Sequence, residues 1–339
     1  MITHRVKITL FVCLSMIIGV IVLLALLWTP DKTNAELKQW LLPESEFVAA
    51  QGMQVHVVQS NLCRAAHSKV VFDDAIKAGL TLPKTIVLLH GTSASLHTWN
   101  GWAKELSDEY CVVRMDLPGF GLTGPFTDKS KTYTSDNYAA LVINVLDQLH
   151  ITQATLVGNS LGGKIAWRTA ALYPDYVDKL ILIDSVGYPA TPKQVPIAFT
   201  LAKYPLLAPI IKNVLPQSVV KKSLYSVYVD DSKVSDTLID RYYDLALRTG
   251  NRQALIQRMR EFDNTEDQDQ IKGLTQPTLI LWGAKDDLIT VENAQRFHEA
   301  IKNSQLKIFD SLGHVPQEED PLTTVSVAKN FLSGKPLDD

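Results

Sequence analysis

The chain has 339 residues, 46% of them hydrophobic and 20% charged, with 33 basic against 36 acidic side chains. That length fits two average domains or one large α/β domain with an insertion, and the apolar share excludes a disordered chain. The near balance of charge, without a basic block, argues against nucleic acid as a partner, and three scattered cysteines with eight scattered histidines make neither a disulfide framework nor a metal motif.

Residues 1–7 include Arg5 and Lys7, and Ile8–Trp28 follows as 21 residues without a charge. As a helix that run is about 32 Å long, against a hydrocarbon core of roughly 30 Å. The pattern predicts a transmembrane signal anchor over 8–28, with residues 1–7 cytoplasmic and the remainder outside, on the periplasmic face of a bacterial inner membrane. A cleaved signal peptide ending near Thr33-Asn34-Ala35 is the alternative, but its apolar region is usually only ~7–15 residues. Residues 29–45 read as a polar linker, in which Leu37, Trp40, Leu41 and Leu42 are expected against the membrane surface.

From residue 46 onward, short β-branched apolar runs alternate with helix-period segments, the pattern of an α/β fold with a mainly parallel sheet. The runs are Gln54–Gln59, Thr85–His90, Cys111–Met115, Ala154–Gly158, Lys179–Asp184, Thr278–Trp282 and Gln305–Phe309. Helices are expected near Ser135–Leu149, Ser160–Tyr173, Val291–Ile301 and Leu322–Leu332. Ser60–Pro83 is a longer connection than such units need, and nothing in it suggests a role. Cys63 and Cys111 could be bridged in an oxidising compartment, but Cys111 opens a buried strand and is expected as a small core thiol. Residues 188–270, rich in Tyr and Leu and broken by prolines, read as an insertion of short helices, a cap over one end of the sheet. Residues 46–187 and 271–339 then form the core.

The chemistry-bearing residues follow strands. Gly158-Asn159-Ser160-Leu161-Gly162 lies between an apolar strand and a helix, where a serine on a sharp turn projects its hydroxyl above the sheet. A serine needs a base, and His314, in the loop after the last strand, is best placed to serve. Asp286, after the penultimate strand, is the expected carboxylate to orient it, with Asp287 and Asp184 as rivals. The oxyanion hole is expected from the backbone N–H groups of Leu161 and Thr92, with Ser93 as the alternative to Thr92. His90 and Asp116 read as supports for their loops. Ser93, Tyr188, Phe199, Leu206, Tyr225 and Tyr228 are candidates for the pocket wall.

His90-Gly91, Asp116-Leu117-Pro118-Gly119-Phe120-Gly121, Gly158-Asn159-Ser160-Leu161-Gly162-Gly163, Trp282-Gly283-Ala284-Lys285-Asp286 and Gly313-His314 together resemble the α/β-hydrolase superfamily. The nearest resemblance is to its bacterial esterase/lipase and meta-cleavage-product hydrolase branch. It implies a mostly parallel eight-stranded sheet flanked by helices, with a helical cap between the sixth and seventh strands. It also implies a Ser160, Asp286, His314 triad that works without a metal or organic cofactor. The expected activity is hydrolysis of a small-molecule carboxylic ester or lipid through an acyl-enzyme. A C–C bond hydrolase using the same triad is the enzyme alternative, and a non-catalytic binding protein on this fold is the other.

Overall fold

The computed structural model describes residues 4–66, 83–189, 192–195, 199–200, 204, 207–261 and 267–335. At its centre is one eight-stranded sheet in the order β1-β2-β4-β3-β5-β6-β7-β8. The strands are β1 (Ser45–Ala50), β2 (Met53–Gln59), β3 (Thr85–Leu89), β4 (Cys111–Met115), β5 (Ala154–Asn159), β6 (Val177–Ile183), β7 (Thr278–Gly283) and β8 (Ser304–Phe309). β2 pairs antiparallel with β1 and β4, and every pairing from β4 across to β8 is parallel. β1 is an addition to the runs read from the sequence. It joins β2 through Gln51 and Gly52, both at positive φ (48° and 76°), as a tight hairpin between right-twisted strands requires.

The helices are α1 (His4–Leu26), α2 (Asn61–Ala66), α3 (Asn100–Leu106), α4 (Ser135–Gln148), α5 (Leu161–Leu172), α6 (Ala208–Asn213), α7 (Gln217–Tyr225), α8 (Asp236–Ala246), α9 (Asn251–Glu261), α10 (Glu292–Ala300), α11 (Pro316–Glu319) and α12 (Pro321–Leu332). The parallel strands are buried on both faces, which is why they read as unbroken apolar runs. Along β3, Val87 and Leu89 enter one core while Ile86 and Leu88 enter the other, as side-chain alternation dictates. Tyr138, Trp167 and Phe297 from α4, α5 and α10 fill the first core. Trp102 and Phe331 from α3 and α12 fill the second. Between β6 and β7, α6 to α9 form the cap, with a small core of their own around Leu224, Tyr228, Leu238 and Ile239.

Three expectations change. The uncharged run is helical within α1, yet among the described residues no helix is long and apolar enough to cross a membrane, so the fold gives the expected span no support. The linker turns Leu37 and Trp40 inward, away from any membrane surface, while Leu41 stays exposed. Leu37 is fully buried against Leu122 and Leu245, and Trp40 packs beside them. Cys63 and Cys111 are a disulfide, with Cα atoms 4.4 Å apart, and not free core thiols. The physical reason is local: the Ser60 N–H donates to the Val112 carbonyl at 2.9 Å, turning the chain so that α2 starts beside β4. Beyond α2, the rest of the unassigned Ser60–Pro83 connection (67–82) lies outside the described residues.

Candidate active site

β5 ends by driving Ser160 into a backbone conformation of φ 55°, ψ −113°, in the region L residues avoid. Two bonds hold it there: the Ser160 N–H donates to the Ile183 carbonyl at 3.0 Å, and the Val186 N–H donates to the Ser160 carbonyl at 3.1 Å. The flanking glycines are required by crowding. A Cβ on Gly158 would sit 2.1 Å from the Gly162 oxygen, and one on Gly162 would sit 2.1 Å from the Leu89 oxygen. α5 starts at the next residue, so the Leu161 N–H belongs to the helix's first turn, where amides lack intrahelical acceptors.

His314 and Asp286 meet as expected. The His314 Nδ1–H donates to Asp286 Oδ2 at 2.6 Å, with both residues buried. The other Asp286 oxygen accepts the Leu288 and Ile289 N–H groups at 2.8 and 3.0 Å, which fixes the orientation of the carboxyl group toward the imidazole. Asp287 takes no such place; its side chain is nearly half exposed and pairs with Lys193. Asp184 is closer to the chemistry than a turn residue. It is fully buried, accepts the Gly283 N–H at 3.1 Å, and lies with Asp286 and His314 so that their ligating atoms are within 4.8 Å of one another. Burial and the neighbouring Asp286 carboxylate push the Asp184 carboxyl well above the usual range, so it holds its proton. The cluster has the compactness of a metal site, but Asp286 and His314 spend their facing atoms on each other and on backbone amides.

The loop after β3 is braced from behind. His90 donates from Nδ1 to the Gly91 carbonyl at 2.7 Å and accepts the Leu117 N–H at Nε2 at 2.9 Å, which fixes one neutral tautomer. Burial lowers its pKa, consistent with a neutral ring. Asp116 accepts the Leu96 and Leu122 N–H groups at 2.7 and 2.8 Å. Burial works to raise its pKa, but His56 beside it prevails and holds the carboxyl down at about 2. Thr92 and Ser93 emerge from this loop into the same cavity as Ser160 and His314, Ser93 at φ 62°.

That cavity is about 1190 Å³ with its mouth included, roofed by Phe199, Leu215, Val219, Leu224 and Leu255. Ser93 and Phe199 line it as expected, whereas Tyr188 and Tyr225 do not. Tyr188 packs outward, edge-on to Phe297 at 5.1 Å with Arg296 over its ring. Tyr225 and Tyr228 serve the cap's own core, and Leu206 lies outside the described residues. Composition shows that the cap is amphipathic but not which helix face looks down.

One support went unread in the sequence. The His314 N–H donates to the Val227 carbonyl of the cap at 2.9 Å. Glu319 accepts the Gly313 N–H at 2.9 Å and the Val229 and Asp230 N–H groups at 2.8 Å each. Glu318 accepts from the Thr98 and Tyr242 hydroxyls at 2.8 and 2.7 Å and pairs with Arg241. The signal was the acidic pair four and five residues after the histidine, which resembles any solvated helix start.

Comparison with known proteins agrees with this geometry. The chain is 31% identical over 240 residues to the uncharacterised hydrolase YugF of Bacillus subtilis, spanning 70% of this chain and 86% of that protein. It is 29% identical over 266 residues to a 2-hydroxy-6-oxo-2,4-heptadienoate hydrolase of Pseudomonas putida, spanning 74% and 89%. In structure it is similar to a meta-cleavage product hydrolase of Pseudomonas fluorescens, with a TM-score of 0.69 and 22% identity over 85% of this chain and 97% of that one. It is also similar to a membrane phospholipase A described as a bacterial virulence factor, with a TM-score of 0.68 and 24% identity over 98% and 99%. Residues 84–321 match the alpha/beta hydrolase fold family, and the chain belongs to it.

Proposed function

We propose that this protein is a serine hydrolase of carboxylic esters. The observation that carries the reading is a single, almost wholly apolar cavity that opens onto both Ser160 and His314. Ser160 Oγ attacks the ester carbonyl carbon as His314 takes its proton, and the Leu161 and Thr92 N–H groups receive the oxyanion. His314 then protonates the departing alkoxide, water enters, and the same histidine activates it to free the acid. Asp286 holds the imidazole in the required tautomer throughout.

A C–C bond hydrolase is the second reading. It is favoured by relatives that carry that activity in their names, and it uses the same triad. One experiment separates the two: the protein is offered 4-nitrophenyl esters of graded chain length and, separately, a 2-hydroxy-6-oxo-dienoate. Ester turnover with no cleavage of the dienoate is the expected result, and the reverse overturns it. A fluorophosphonate probe should label Ser160 and miss Ser160→Ala, with turnover falling by ~10³-fold or more; labelling elsewhere removes the nucleophile assignment.

We further propose that the protein works outside the cytoplasm, held to the membrane by its first helix. This rests on the uncharged Ile8–Trp28 run behind Arg5 and Lys7, and on the Cys63–Cys111 bridge, a bond of oxidising compartments. Alkaline phosphatase fused after Ser45 in a bacterial host is expected to be active and to sediment with membranes. An inactive fusion overturns the orientation, and a soluble one overturns the anchor.

A further inference from the structure

α9 begins in the wall of the Ser160 cavity, and its first two residues carry buried polar atoms without hydrogen-bond partners. Asn251 and Arg252 are 4% and 6% exposed, and both line the cavity. Asn251 donates its amide hydrogens to the Gly121 and Leu245 carbonyls at 3.0 and 2.8 Å, leaving Oδ1 buried with no hydrogen bond. Arg252 directs Nη2 to the Asp31 carboxylate and the Thr29 carbonyl at 2.6 and 2.7 Å. Its Nε–H and Nη1–H are buried and make no hydrogen bond. Buried polar groups nearly always have a partner, so an unsatisfied acceptor and unsatisfied charged donors on two consecutive residues of a cavity wall call for one from outside the chain.

The surroundings specify what that partner is. Among the described lining residues Arg252 carries the one permanent charge, and no carboxylate joins it there. The first turn of α9 adds the positive end of a helix dipole. Asp31 neutralises part of the guanidinium from outside the cavity, where its side chain is 32% exposed and screened by water. A planar guanidinium with free N–H groups matches an oxyanion, and the adjacent amide oxygen matches a donor next to it.

We infer that Asn251 and Arg252 form a subsite for an anionic substituent of the substrate, a phosphate or a carboxylate. Arg252 receives the anionic oxygen, and Asn251 Oδ1 accepts from a neighbouring hydroxyl or ammonium. This rests on the ester-hydrolase reading and narrows it to esters that carry such a group.

The test compares kcat/KM within two matched pairs: 1-lauroylglycerol 3-phosphate against 1-lauroylglycerol, and 4-nitrophenyl hemisuccinate against 4-nitrophenyl butyrate. Wild type should prefer the anionic member of at least one pair. A response in the first pair alone identifies a phosphate, and in the second alone a carboxylate. Arg252→Leu is expected to lower the anionic-to-neutral ratio by about tenfold or more, with Arg252→Lys restoring part of it. Asp31→Asn, which keeps the guanidinium and removes its competing anion, should raise the ratio. A merely structural arginine would depress both members equally. An unchanged ratio in Arg252→Leu overturns the subsite, as does an unchanged ratio in Asp31→Asn should Arg252→Leu fail to fold. Failure of wild type to cleave any neutral ester overturns the ester-hydrolase reading instead.

Discussion

Asp184 and Asp286 bring two buried carboxyls to the ends of neighbouring strands, and their surroundings set them opposite tasks. Asp286 spends its oxygens on three donors, while burial and that neighbour push the Asp184 carboxyl well above the usual range. The unfolded chain releases the Asp184 proton near the ordinary carboxylate pKa, and the folded chain retains it to higher pH. Above about pH 4 the folded state therefore binds more protons, and stability falls as pH rises toward neutrality. Asp184→Asn cannot ionise and should lose this slope. Urea denaturation at pH 4.5 and 7.5 is expected to show the variant gaining on wild type at the higher pH; an equal difference at both would mean that Asp184 is ionised in the fold. Asp116 has the opposite sign, since the stability from its depressed pKa is present above about pH 4 and lost as pH falls toward 2. The grouping of Ser160, Asp286 and His314 was legible because each lies within a few residues of the end of a strand, near a glycine. Asp184 was legible as a rival, but its protonation depends on Asp286 arriving from a strand about a hundred residues later. Cys63 and Cys111 failed as a reading for the same kind of reason, since their meeting depends on a turn at Ser60 that no periodicity marks.

At the scale of elements, the cap and α11 are one assembly. Glu319 joins Gly313, the residue before His314, to two cap amides, and the Val227 carbonyl holds the N–H of His314. The sequence suggests a cap that forms the acyl pocket, whose removal would cost more activity on long acyl esters than on acetate esters. The hydrogen bonds predict otherwise: replacing 188–270 by a short linker leaves the His314 loop unsupported and should abolish turnover of short and long esters alike. The milder form of the test is Glu319→Ala. It strands three N–H groups and should lower kcat by about tenfold or more on every chain length, with Glu319→Gln recovering part. A loss confined to long esters would show that the clamp shapes the pocket and not the histidine. The helical, proline-broken character of this insertion was evident in its composition. Its lining was not, because residues such as Tyr188 and Phe199 differ only in the direction their segment faces.

For the whole molecule, the informative stretch is the one that looked like a linker. The Thr29 N–H donates to the Asn213 carbonyl at 2.8 Å, the Lys32 N–H to Leu247 at 2.7 Å, and the Thr249 N–H back to Lys32 at 2.8 Å. Asp244 gathers Lys32, Gln39 and Trp40 at 2.5, 2.8 and 2.9 Å. Polar composition made these residues read as solvated spacer, when their polarity is what bonds them to the cap. Between the end of α1 at Leu26 and the first of these bonds at Thr29 there is almost no slack. The first helix and the roof of the substrate chamber are therefore mechanically in series. A tug or tilt applied to that helix travels through Thr29 and Asp31 into Arg252, and so into the chamber wall.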